Sequence, residues 1–254
     1  MAKPLLERQV SLIEHMTSSA AIFGRGGDQA ADLEGIDRAL LRVEARFSYA
    51  KRMEKITAVL PRTFELLGSD RDAHVRAFVE SCPPTTLSRL ENACEFHRFL
   101  VSRWSREAPE PPHITDVAAF EIACSRVDAD PDHHSSDRVT TADRALPGSI
   151  RRSPNINLLR CAYDIRPIFE TGLEKAVPVK RDTPLVVAWP PGADGPQVFE
   201  VLPAIFDLLA ALDDWTDPAP SLPSPACRGR SGRGPEFAKL LVDLTAAALI
   251  EVQQ

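Results

Sequence analysis

Tyr49-Ala50-Lys51-Arg52, Ala58-Val59-Leu60-Pro61-Arg62-Thr63-Phe64-Glu65-Leu66-Leu67-Gly68, Phe78-Val79-Glu80-Ser81-Cys82-Pro83-Pro84, Phe96-His97-Arg98-Phe99-Leu100 and Ile114-Thr115-Asp116-Val117-Ala118-Ala119-Phe120-Glu121-Ile122-Ala123 follow one another between Tyr49 and Val127. This stretch decides the fold class. Apolar residues recur at three- and four-residue spacing and prolines punctuate them, which predicts successive amphipathic helices. Asp70–Val79 reads as a short helix closed by Cys82-Pro83-Pro84. Ser88-Arg89-Leu90-Glu91 is a capping box, followed by Leu90, Cys94, His97, Val101 and Trp104 along one predicted stripe. Thr115 is a good N-cap for a helix carrying Val117, Phe120, Ile122 and Val127.

Upstream, Pro4–Phe23 places Leu6, Val10, Ile13 and Met16 on one helical face, and the Gly24–Gly27 run ends it. Asp37–Leu67 reads as a helix that buries Leu40, Val43, Phe47, Met53, Ile56 and Leu60, with a kink or break at Pro61. The predicted architecture is mainly α, with a helical domain over residues 1–128.

Apolar periodicity stops after Asp128, so residues 129–182 read as a linker and extended arm, with Asn155–Ile165 extended. Residues 183–254 have a different texture. Leu185-Val186-Val187-Ala188-Trp189, the turn Pro190–Gly195 and Gln197-Val198-Phe199-Glu200-Val201 predict a hairpin. Ala204–Leu212 and Glu236–Leu249 read as helices on either side of a Pro/Ser/Arg/Gly-rich loop at Asp217–Pro235. Hairpin, helix, loop and helix make a small α+β, winged-helix-like module.

The chain of 254 residues is ordinary in composition, with 44% hydrophobic and 26% charged residues, and long enough for a substantial core. Its net charge of −6 argues against a nucleic-acid binder, which normally carries a basic footprint. From Thr183 onward only Arg228, Arg230, Arg233 and Lys239 oppose nine Asp/Glu. Five cysteines without a C-x-x-C pair suit reduced thiols in the cytoplasm, and no apolar run reads as a signal peptide or membrane span. Cys82, Cys94 and Cys124 fit helical stripes, whereas Cys161 and Cys227 fall in more exposed contexts.

No nucleophile motif, zinc signature or phosphate-cradling glycine loop is present. His133-His134 among Asp130, Asp132 and Asp137 lacks the preorganisation of a metal site and reads as a solvated loop. The basic cluster Arg46/Lys51/Arg52/Lys55 reads as a solvated helix face, whereas Arg151/Arg152 and Arg228/Arg230/Arg233 fall in linkers and read as contacts for an acidic peptide, an acidic partner or a phosphate backbone.

The order and spacing of the motifs from Tyr49 to Val127 resemble a helical family that carries a DNA-binding label. Its members are partner proteins of multinuclear non-heme iron oxidative enzymes that modify ribosomally made peptides, as in methanobactin-type pathways. Pro154–Ile165 looks like the family's crossing arm, and the C-terminal module looks like its peptide-recognition element (a RiPP recognition element). The sequence departs from relatives at Asn92–Phe96, where a glycine is more usual, and in the long Asp217–Pro235 loop. The resemblance implies a non-catalytic subunit with no cofactor of its own. It pairs with a TIM-barrel iron enzyme and binds the leader of a precursor peptide by strand addition. On that mechanism the expected peptide contacts are Val198, Phe199, Val201, Phe237, Leu241 and Leu244, and the expected enzyme contacts are Arg151 and Arg152. The alternative is a DNA-binding transcriptional regulator, for which Glu236–Leu249 offers only Lys239.

Overall fold

Helix boundaries in the N-terminal half follow local chemistry. The computed structural model describes residues 5–24, 37–128, 149–190, 193–216 and 235–253. Pro61 splits the long predicted helix into α3 (Arg38–Val59) and α4 (Pro61–Leu67), because Leu60 leaves helical geometry (φ −119°, ψ 45°) and the proline then starts the next helix. The N-cap of α3 is Asp37, whose carboxylate accepts the Ala39 N–H at 2.8 Å. Upstream lie α1 (Leu5–Thr17) and α2 (Ser19–Phe23); Gly24, at φ 71°, closes α2 by donating its N–H to the Ala20 carbonyl.

Next come α5 (Arg71–Ser81), α6 (Arg89–Trp104) and α7 (Ile114–Asp128). Half of the capping box at α6 forms as predicted, with Ser88 Oγ accepting the Glu91 N–H at 3.3 Å. The other half is replaced: Glu91 accepts from Thr86 Oγ1, and that same hydroxyl oxygen accepts the Ser88 N–H at 3.1 Å. Helix α7 starts one residue before the predicted Thr115 cap, with the His113 carbonyl accepting the N–H of Val117 at 3.1 Å.

The buried arcs differ from the predicted stripes. On α6 the core takes Asn92, Ala93, Phe96 and Leu100, while Val101 is exposed. Phe96 lies between Phe64, Phe78 and Phe99, with ring centroids 5.0–6.3 Å away, so the aromatic cluster rotates the helix. Helix α3 buries Leu41, Ala45, Ile56 and Val59 and exposes Leu40, Val43 and Phe47.

Two compact units result, Met1–Ile122 and Ala123–Gln254. The second contains β1 (Ser149–Arg152), β2 (Ile156–Asp164), α8 (Arg166–Thr171), β3 (Val179–Ala188), β4 (Gln197–Glu200), α9 (Pro203–Ala211), α10 (Pro235–Ala246) and β5 (Ile250–Gln253). The predicted hairpin is β3–β4, paired antiparallel from Leu185↔Glu200 to Ala188↔Gln197. The segment expected as an extended arm is instead built into the same sheet: β2 pairs with β3 from Ile156↔Ala188 to Asp164↔Val179, giving the order β2-β3-β4. A further correction concerns the last helix, which stops at Ala246 and is followed by β5, paired with β1 through Ile150↔Val252.

Central strand β3 is buried on both faces at Leu185, Val186, Val187 and Ala188, which explains its unbroken apolar run. Val186 and Ala188 join Ile156, Leu208, Leu209, Leu241, Leu244 and Ile250 in the core of the second unit. The molecule is thus mainly helical, with small antiparallel sheets in its C-terminal half.

Candidate functional site

Strand β4 is an edge of its sheet among the described residues. Its backbone polarity follows from one bond: Val201 donates its N–H to the Pro184 carbonyl at 3.1 Å. Alternation along an antiparallel ladder therefore turns the N–H and C=O of Val198 and Glu200 away from β3, to the open side. Such an edge is a template for one more strand.

Side chains on the two faces of β4 have different surroundings. Phe199, opposite Val186, and Val201 pack half-buried against the core that α9 and α10 cover. Val198, opposite Val187, points to the other face, so its contribution at the edge is its backbone. On α10, Phe237 is half-buried on the same core as Phe199. Leu241 and Leu244 are only 3% and 6% exposed, which makes them core residues rather than contact residues. Leu240, in the apolar stripe of the last helix but outside the expected peptide contacts, has the same partly buried position as Phe237. Its place in the apolar helical stripe was the available signal, and only packing separates it from Leu241.

An ionic ring holds β4 to the sheet. Arg181 reaches Asp164 at 2.7 Å and Glu200 at 2.5 Å, and Arg166 reaches Asp164 at 2.8 Å and Glu200 at 2.6 Å. Hydrogen bonds from Arg166, and then from Arg181, hold the Asp164 carboxyl well below the usual carboxylate range despite partial burial. Glu200 is lowered chiefly by its hydrogen bond from Arg181.

Arg151 and Arg152 lie in the β1–β5 ribbon and are already engaged. Arg151 donates to Glu251 at 2.6 Å and stacks over Trp215, 4.7 Å from the ring centre. Arg152 bonds to the Leu209 carbonyl at 3.2 Å and to Asp213. Both side chains tie the ribbon to neighbouring elements. Cys161, expected to be exposed, is 1% exposed within β2.

His133, His134 and Cys227 lie outside the described residues. Among the described residues, no group of three or more His, Cys, Asp or Glu has metal-binding geometry, and no helix is long and apolar enough to cross a membrane.

The N-terminal unit has its own cleft of about 550 Å³, walled by Leu67, His74, Arg103, Trp104, Glu107 and Ile114. Nδ1 of His74 is buried there without a hydrogen-bond partner. Burial first, and Arg103 second, lower the His74 pKa. No protein-family model matches this sequence, and no curated protein matches it.

Proposed function

We propose that this chain is a non-catalytic partner subunit that holds the leader of a ribosomally made precursor peptide and presents it to a multinuclear iron-dependent oxidative enzyme. The open edge of β4 carries the reading. An extended peptide pairs with the outward N–H and C=O of Val198 and Glu200, and its alternate side chains pack over Phe199, Val201 and Phe237. The β2-β3-β4 sheet with α9 and α10 serves as a winged-helix-like recognition module. The motif order of the N-terminal half supports the assignment to this class of partner. Iron and the oxidative chemistry belong to the enzyme, and this chain contributes binding and orientation.

The test is co-expression of the chain with the iron enzyme and precursor peptide encoded beside it. Size exclusion, iron analysis and mass spectrometry of the peptide give the readouts. A stable complex, with peptide modification requiring both chains, is the expected outcome. Within it, Val198→Pro removes one outward N–H without costing a β3–β4 bond and weakens leader binding at least about tenfold. Fluorescence anisotropy with a labelled leader measures that loss. A chain that ignores enzyme and peptide but shifts a promoter fragment in a salt-dependent way belongs to the DNA-binding class instead.

A further inference from the structure

Strand β4 offers an added strand a frame of fixed length. Val198 and Glu200 each turn both an N–H and a C=O to the open side. Pro196, two residues before Val198, has no N–H to offer. Leu202, two residues after Glu200, has already committed its carbonyl to the start of α9, where it accepts the N–H groups of Ile205 and Phe206 at 2.9 and 3.0 Å. Complete donor and acceptor pairs are therefore confined to two alternate residues of β4.

The two faces of the strand set what lies between those pairs. Residues directly opposite one another in an antiparallel pair share a face of the sheet. A residue opposite Phe199 or Val201 therefore lies on the core face, beside side chains that are themselves half-buried and apolar. A residue opposite Val198 or Glu200 lies on the other face, where Glu200 is bound by Arg166 and Arg181. Gln197, the remaining core-face position of β4, is exposed and polar, so the apolar demand stops at Phe199. Every strand pairing among the described residues is antiparallel, and antiparallel ladders are the more stable per residue.

We infer that the β4 edge takes an antiparallel peptide segment that reads, from its N-terminus, apolar, x, apolar, x, with neither x a proline. The apolar residues lie against Val201 and then Phe199, and the two x residues exchange backbone hydrogen bonds with Glu200 and then Val198. Only the x residues turn their N–H groups to β4; those of the apolar residues point away. This rests on the peptide-binding reading above and specifies which peptides satisfy it.

The test is a backbone N-methylation scan along a fluorescein-labelled synthetic leader of the precursor encoded beside the chain, read by anisotropy with the full-length protein. The changes are made in the peptide, so the fold of the protein is not at stake. N-methylation of either x residue lowers affinity at least about tenfold, whereas N-methylation of either apolar residue leaves it within about twofold. Aspartate in place of the apolar residue opposite Phe199 also lowers affinity at least about tenfold. Sensitivity to N-methylation at the apolar residues in place of the x residues means parallel pairing, and sensitivity at successive residues or at helical spacing means a ligand that is not a strand. Either result overturns the frame while leader binding stands. A leader with no affinity for the chain removes the peptide-binding reading, and the frame with it.

Discussion

Arg52 is the residue whose role changes most between sequence and structure. Grouped with Arg46, Lys51 and Lys55 it looks like part of a solvated basic face, yet it is 8% exposed. Its guanidinium donates to Asn92 Oδ1 at 2.9 Å, the Cys82 carbonyl at 2.8 Å and Glu95 at 3.0 Å. It also lies 4.5 Å from the Phe78 ring centre. Burial lowers its pKa and the Glu95 carboxylate opposes that shift, and each of the three guanidinium nitrogens donates one hydrogen bond. One side chain thereby joins α3, α6 and the end of α5. Arg52→Met leaves Glu95 and Asn92 without their partner and lowers the stability of the N-terminal unit by about 3 kcal/mol. Arg52→Lys restores only part of this, because a point ammonium cannot span the planar fork. Urea unfolding measures both, and an unchanged midpoint for Arg52→Met rejects the account.

At the scale of elements, the turn from α10 into β5 rests on an unusual residue. Leu249 donates to the Leu244 carbonyl at 2.9 Å and Ala248 to that of Thr245 at 2.9 Å, the two bonds of a Schellman motif. Ala248 occupies the left-handed position at φ 58°, where its Cβ is strained. Leu244 and Leu249, the apolar pair that accompanies such a motif, are both buried in the core. Ala248→Gly relieves the strain, at some cost in unfolded-chain entropy, and raises stability by about 0.5–1 kcal/mol. Thermal melts detect this as a small upward shift, and a downward shift contradicts the strain argument. The turn also decides register, since β5 pairs with β1 only if the chain reverses at Ala248.

For the whole molecule, acid sensitivity follows from how carboxylates are held. The folded pKa of Asp164 lies below its unfolded value of 3.8, and that of Glu200 below 4.5. Groups of this sign add stability that is complete above the unfolded pKa and is lost as pH falls through the folded value. Glu121 in the other unit has the opposite sign. Burial raises its pKa, although it accepts hydrogen bonds from Arg62 N, Thr63 N and Thr63 Oγ1 at 2.6–3.0 Å. Its contribution is therefore greatest below its unfolded pKa and declines as pH rises. Asp164→Asn destabilises the C-terminal unit near pH ~7, and the gap to wild type stays constant down to about pH 5 and narrows as pH falls below the unfolded Asp value of 3.8. Chemical denaturation at several pH values gives the gap; a constant gap means that the ring of Asp164, Arg166, Arg181 and Glu200 adds nothing to pH-dependent stability.

Helix positions were legible in the sequence because their determinants act within one turn: Pro61 at a helix start, Asp37 and Ser88 as N-caps, Gly24 as a C-cap. The β3–β4 hairpin was legible because a buried strand and a turn are also local patterns. Tertiary structure alone decided which arc of each helix is buried. Helix α3 carries two apolar stripes, and periodicity cannot say which one the aromatic cluster around Phe96 will cover. It also decided that Asn155–Ile165 joins a sheet, that Ser149–Arg152 finds Ile250–Gln253 about a hundred residues away, and that Leu241 turns inward while Phe237 stays half-exposed. The division has one physical cause. Caps and turns are settled by neighbours in the chain, whereas burial and strand pairing are settled by residues that meet only after the chain has folded.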